Sequence, residues 1–265
     1  MNKQMNLTMA LLLAGALPAA AGNVYTTRFE SPAFAAGSTL VGQDGWVQGP
    51  PFLSPNAAVI STARPRQGKQ SVSVWGGDLD HQDILGEMTG GYYDAIGSYR
   101  RPVDFDTEGT QIVRISAHVR IDGPQTDAGI NFFSASIAAR ALLDDGNTAG
   151  VGELTISSDG NVYGYSGNDN VPAFLTSAPV TLGEWHDLAV EVGFGARTFT
   201  FSMDGQSLGT FDFVAVPDSE NPGVTYTNIL RRGSIITYAA ADSGGLSKAD
   251  YSAHYDRFTI TADAE

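Results

Sequence analysis

The chain predicts an all-β protein, a sandwich or barrel of antiparallel strands, on three observations. Apolar and polar residues alternate almost everywhere after residue 21, and no long stretch holds a helical period. Turn chemistry punctuates that alternation at short intervals, at Asp122-Gly123-Pro124, Asp145-Gly146-Asn147, Asp159-Gly160-Asn161, Asp204-Gly205 and Gly244-Gly245. The third observation is the segment 183–213. Trp185-His186 opens an alternating strand there, Gly195-Ala196-Arg197 breaks it, and a second strand runs into Asp204-Gly205 and out into a third. Asp-Gly between alternating runs is a strong hairpin signal, because both residues accept positive φ at low cost.

Taken in order, strands are expected at 24–29, 57–62, 70–76, 97–103, 111–122, 129–139, 152–158 and 161–165, then at 186–194, 197–204, 207–213, 234–239 and 253–262. Only 138–143 and 248–251 have the composition of a helical turn. The longest irregular segments, 33–56, 78–95 and 214–230, have lengths that mark functional or partner-facing loops within one domain. No Pro- or Ser-rich linker and no repeat divides the chain.

The strand at 111–122 sorts its faces. Val113, Ile115, Ala117, Val119 and Ile121 point one way, and Arg114, Ser116, His118 and Arg120 the other. Ser71, Ser73 and Trp75 alternate similarly, as do Asn131, Phe133 and Ala135. If these strands are neighbours, one polar face carries Trp75, Tyr99, Arg101, Arg114, His118, Arg120 and Asn131. Stacking aromatics among hydrogen-bonding side chains are what sugar binding requires. Trp46, Tyr92, Tyr93, Tyr163 and Tyr165, in or beside loops, add further stacking material.

Composition narrows the partners. Fifteen basic against 29 acidic side chains give a formal charge of −14. That sign disfavours nucleic acid and anionic membrane surfaces, and suits a neutral or cationic ligand or a divalent cation. Residues 1–21 have the form of a secretory signal peptide. Lys3 supplies the positive region, 7–17 the apolar core, and Pro18-Ala19-Ala20-Ala21 the cleavage site. No later segment has the length of a membrane span, and with no cysteine neither a disulfide nor a lipid anchor is expected. The expectation is a single exported domain over 22–265, periplasmic or secreted.

Trp185-His186, with Asp204-Gly205 following Phe199-Thr200-Phe201, resembles the concanavalin A-like lectin/glucanase superfamily, in particular its laminin-G-like jelly rolls. Leu40-Val41-Gly42-Gln43-Asp44-Gly45-Trp46 resembles the opening of such domains in bacterial exported proteins, and Tyr255-Asp256-Arg257-Phe258-Thr259-Ile260 their closing strand. The resemblance implies two stacked antiparallel sheets, a concave face and often one structural calcium. It covers lectins, glycosidases, polysaccharide lyases and inactive modules alike.

Catalytic signatures are absent from the sequence. Glucanases of this superfamily carry Glu-x-Asp-x-x-Glu on one strand, which projects two carboxylates into a cleft. No such string occurs, and Glu153, Asp187 and Glu191 stand alone. The Gln-x-His strand of alginate-lyase-type members fails at Gln111-Ile112-Val113. A diverged lyase or hydrolase, with His118 abstracting a proton beside Tyr99, Arg101 and Arg120, is the enzymatic alternative. A surface or coat component that binds other protein chains is the third. His186 and His254 read as structural, and Asp78-Leu79-Asp80-His81-Gln82-Asp83 as a solvated acidic loop. Calcium is expected between Glu30 and Asp256, acids near the first and last strands, which lie side by side in such sandwiches. The leading expectation is non-catalytic glycan binding or a structural role.

Overall fold

The computed structural model describes residues 22–49, 58–75, 94–108, 111–125, 133–166, 169–174, 180–213, 223–239 and 250–264. The expected signal peptide, the acidic loop at 78–83, Asn131, Tyr92, Tyr93 and Gly244-Gly245 lie outside them.

Fifteen strands follow one another: β1 Gly22–Thr27, β2 Val47–Gln48, β3 Ala58–Ser61, β4 Ser71–Trp75, β5 Asp94–Asp106, β6 Gln111–Asp122, β7 Phe133–Leu143, β8 Thr148–Ser157, β9 Val162–Ser166, β10 Asp169–Phe174, β11 His186–Gly193, β12 Thr198–Met203, β13 Gln206–Asp212, β14 Tyr226–Ala239 and β15 Ser252–Ala264. They form two antiparallel sheets. The eight-stranded sheet runs β13-β12-β11-β6-β15-β4-β3, with β1 also paired to β15, and the seven-stranded sheet runs β10-β9-β8-β7-β14-β5-β2. The expected sandwich is present. Segment 138–143, expected to form a helical turn, is instead the second half of β7, held between β8 and β14. Ladder partners on both sides override a weak local preference.

The β11-β12-β13 meander forms as the sequence indicates. Asp204 and Gly205 take φ of 51° and 79° between β12 and β13, the paired positive values of a two-residue hairpin. His186 secures it: its Nδ1 lies 2.9 Å from the Asp204 carboxylate, whose other oxygen accepts the Asp187 N–H at 2.8 Å. The turns at Asp145 and Asp159 work in the same way, each carboxylate accepting the N–H two residues on.

The core fills the space between the sheets. Val113, Ile115, Ala117, Val119 and Ile121 of β6 are buried as their alternation requires, and Leu188, Val190, Val192, Phe199 and Phe201 continue the layer. Ala135, Ile137, Leu154, Ile156 and Ile235 face them from the seven-stranded sheet. At one end Trp46, fully buried, packs edge-on against Phe258 at 5.1 Å and donates Nε1–H to the Tyr25 hydroxyl at 3.0 Å. Gly233 of β14 leaves room for Phe258; a Cβ there would sit 2.7 Å from the ring. Trp46, counted above among possible stacking aromatics, is therefore core.

Candidate functional site

Register decides which side chains share a face, and it separates those expected to lie together. β6 neighbours β11 and β15, whereas β5 and β7 belong to the other sheet. Arg114, His118 and Arg120 do share the outer face of the eight-stranded sheet, and the β4 backbone at Trp75 is in register with Ser252 of β15. Tyr99 does not join them: it is fully buried on the inner face of β5. Arg101 also stands on β5, its guanidinium 4.3 Å over the Tyr25 ring and its Nη1 donating to the Pro102 carbonyl at 2.9 Å. Tyr99, Arg101, His118 and Arg120 thus do not converge, which removes the proton-abstracting arrangement. The physical reason is topological. The chain crosses from one sheet to the other between β4 and β5, β5 and β6, and β6 and β7, so β5 and β7 do not lie beside β6.

The outer face of the eight-stranded sheet is charge-balanced. Arg114 is ion-paired with Glu191 and Arg66 with Asp187. Arg120 and Arg64 both hold Asp122, at 2.6 and 3.0 Å. Burial works against the Asp122 charge, but hydrogen bonds from these two arginines outweigh it and keep its carboxyl below the ordinary range. His118 is buried, with Nε2 3.0 Å from Asp187. His254, 4% exposed, has the Ser73 hydroxyl 2.8 Å from Nδ1, and Ser252 and Asp122 at 3.0 and 3.4 Å from Nε2. Burial pushes both imidazoles down to about 4, against the pull of their carboxylate partners. They are neutral near pH 7, so these contacts are hydrogen bonds rather than charge pairs; His254 has partners at both ring nitrogens, whereas His118 Nδ1 is buried without one.

Glu30 and Asp256 come together as expected, around one loop. Glu30 Oε1 accepts the N–H groups of Lys69 and Gln70 at 2.5 and 2.9 Å, and Asp256 Oδ2 those of Arg66 and Gln67 at 3.0 and 2.9 Å. Phe29, Gly68 and Arg257, beside these contacts, all have positive φ. Burial raises the Asp256 pKa, the three amides facing it pull it back, and the Glu30 charge adds to the rise. Among the described residues no cluster of three or more acids, histidines or cysteines accompanies them.

The outer face of the seven-stranded sheet is different in kind, and sequence reasoning missed it. Arg232 of β14 stands opposite Arg140 of β7, and Ser234 lies between Arg100 of β5 and Ala138 of β7. The same row continues through Glu153 of β8 to Tyr165 of β9, and the next pairs Ser136, Thr155 and Tyr163. Tyr238 donates to Glu153 at 3.5 Å, and Arg232 Nη2 to the Thr148 hydroxyl at 2.9 Å. Among the described residues, no ion pair joins Arg100, Arg140 or Arg232 to a carboxylate. Their Nε atoms, with the hydroxyls of Ser134, Ser157 and Ser234, are buried without a hydrogen-bond partner. Buried polar atoms are nearly always paired, and six of the ten such atoms among the described residues lie on this face. Burial lowers the Arg100 pKa with help from Arg140, and takes Arg232 down to about 10 with help from Arg100 and Arg140. Burial likewise raises the Glu153 carboxyl, with Arg140, Ser136 and Tyr238 pulling the other way.

The signal for this face was present in the alternation. Arg140 and Arg232 occupy outward positions of their strands, but 138–143 had the composition of a helical turn and 214–230 read as irregular, although β14 begins at Tyr226.

Comparison with known proteins follows from this geometry. An endo-1,3-β-glucanase from Streptomyces sioyaensis superimposes with a TM-score of 0.60 at 15% identity, over 95% of this chain and 100% of that one. The likeness shows the fold, a two-sheet antiparallel jelly-roll sandwich. A structure of the endo-acting O-glycanases of the human gut microbiota matches with a TM-score of 0.51 at 13% identity, over 91% of this chain and 99% of that one. A non-specific endo-β-1,3(4)-glucanase from family GH16 gives 0.51 at 13% identity, over 93% of each chain. No protein-family model and no curated protein matches this jelly roll. At such identities the likeness concerns the fold, and the chemistry rests on this chain's own residues.

Proposed function

We propose that the chain is an exported, non-catalytic glycan-binding jelly roll that holds its ligand on the outer face of the seven-stranded sheet. The observation that carries this reading is the gathering of half-buried Arg100, Arg140 and Arg232 on that face, with no ion-pair partner among the described residues, the kind of donor that sugar hydroxyls and ring substituents engage. Tyr163, Tyr165 and Tyr238 supply aromatic surface beside them. On the outer face of the eight-stranded sheet Arg114 and Arg120 each have an acid partner, and among the described residues its buried unpartnered atom is His118 Nδ1.

The non-catalytic part rests on the carboxylates. Retaining hydrolysis needs two about 5–5.5 Å apart, and inversion two about 6.5–9.5 Å apart. In the row that runs from Arg100 to Tyr165, Glu153 is the one acid; Asp104 and Asp106 stand toward the end of β5, with Asp104 ion-paired to Arg231. Affinity electrophoresis against a polysaccharide panel tests the reading. The expected result is retardation by at least one polymer, with no new reducing ends and no absorbance from an unsaturated uronate. Product release would overturn the non-catalytic reading, and absence of retardation by every polymer would overturn glycan binding.

Structural calcium between Glu30 and Asp256 belongs to the same proposal. The donors are of the type calcium takes, two opposed carboxylates beside a tight backbone turn. A cation there would relieve their mutual repulsion and fix β15 to the 66–70 loop. At a calcium concentration about a hundredfold above Kd the stabilisation is about 2.7 kcal/mol, or roughly 5–10 °C in Tm at this chain length. Chelation should lower Tm by that amount in the wild type and leave Glu30→Gln unchanged. A wild-type Tm indifferent to both chelator and calcium would remove the site.

A further inference from the structure

The overall charge of −14 favours a neutral or cationic ligand, but the local arrangement on the seven-stranded sheet points the other way. We propose that the glycan bound there is anionic, carrying carboxylate or sulfate groups that Arg100, Arg140 and Arg232 grip as bidentate forks. This rests on the placement of the glycan site argued above and specifies its chemistry.

Three guanidiniums are gathered on three adjacent strands, β5, β14 and β7. Arg232 and Arg140 are directly opposed, and Arg100 is one diagonal step away across Ser234. Burial lowers the pKa of Arg100 and Arg232, and the like charges of the neighbouring arginines add to that lowering. Folding alone gives no reason to assemble them. On the eight-stranded sheet and its β3–β4 loop, Arg64, Arg66, Arg114 and Arg120 each have an acid partner, and Arg231, next to Arg232 on β14, has Asp104 of β5. On this face the nearby acid is Glu153, which is hydrogen-bonded by Tyr238, and no ion pair among the described residues neutralises the trio.

The donors left over fit an oxyanion. Each of the three residues is half-buried, with Nε enclosed and unpartnered, so it is the remainder of the side chain that reaches the surface. A guanidinium presents parallel N–H groups at the spacing of a carboxylate or sulfate. A neutral hydroxyl satisfies one donor at a time and leaves the repulsion among the arginines in place; an anion does both. The acidic remainder of the surface would then oppose loosely held polyanions, leaving this face as the place where they are held.

The test uses the full mature chain in affinity electrophoresis and calorimetry with three sets of polymers: polyuronates without sulfate, sulfated glycans without uronate, and neutral β-glucans. The expected result is binding to one or both anionic sets, weakening as sodium chloride rises, with neutral glucans bound at least about tenfold more weakly. Arg140→Gln and Arg232→Gln should each lose at least about tenfold in affinity, and Arg232→Lys should lose less than Arg232→Gln. Melting curves establish that each variant is folded. The first two sets distinguish a carboxylate ligand from a sulfate ligand. Equal or stronger binding of neutral glucans, independent of salt, would overturn the anionic assignment and leave the glycan site standing. Arginine variants that stay folded and bind anionic polymers as the wild type does would overturn it as well. No binding to any set would overturn the glycan reading itself.

Discussion

Trp46→Ala should lower stability by about 3–5 kcal/mol, the usual range for emptying a fully buried large aromatic. At this chain length that corresponds to a fall of roughly 10 °C in Tm. Trp46 packs against Tyr25, Phe29 and Phe258, and its indole N–H is the donor to the Tyr25 hydroxyl, which in turn donates to Asp44 at 2.7 Å. Its removal loosens the contact that joins the 40–46 segment to β1 and β15, so the loss reaches beyond one cavity. Glycan retardation below the melting transition should be unchanged, because Trp46 has no part in the outer face of either sheet. A variant that melts with the wild type but has lost its ligand would make Trp46 a stacking residue rather than core. Thermal unfolding followed by near-ultraviolet circular dichroism separates the two outcomes.

The second large effect is acid-dependent and centres on His254. Its imidazole titrates at about 4 in the fold, against an ordinary value of 6.5, because burial disfavours the charged ring more than Asp122 favours it. A depressed histidine pKa means that the unfolded chain binds the proton first. Its stabilising contribution is complete above pH 6.5, is lost as pH falls toward 4, and amounts to about 3 kcal/mol over that window. His118 acts in the same direction, while protonation of the many carboxylates and of buried Glu153 relieves repulsion and opposes it. The difference between wild type and His254→Gln therefore carries the prediction. Between pH 6.5 and 4 the wild type should lose about 3 kcal/mol more than the variant, measured by denaturant unfolding at intervals of half a pH unit. Parallel pH profiles would show that His254 is protonated in the folded state.

Local chemistry made much of this fold readable, and non-local pairing hid the rest. The β11-β12-β13 meander was legible because period-two alternation and the Asp204-Gly205 pair are properties of adjacent residues. The core face of β6 was legible for the same reason. The ligand face was not, since it depends on which strands become neighbours. Tyr99 and Arg101 looked compatible with Arg114 and His118 only until β5 joined the other sheet. Arg140 was hidden by an alanine-rich stretch whose composition favours a helical turn, and Arg232 stood just beyond the segment taken for a strand. Glu153 was correctly seen as a lone acid, but its setting among arginines is created by the β7, β8 and β14 register. Glu30 and Asp256 hold the same 66–70 loop because β1 and β15 adjoin, a regularity of the fold rather than of their local sequence.

The central claim is that ligand is held by the seven-stranded sheet and not by the eight-stranded one. The most direct measurement is a paired comparison of Arg140→Ala/Arg232→Ala with Arg114→Ala/Arg120→Ala in affinity electrophoresis on the polymer that retards the wild type. The first double variant should lose retardation while remaining folded, and the second should be retarded as the wild type is. Loss of retardation in the second with retention in the first would place the ligand on the opposite sheet and contradict the account.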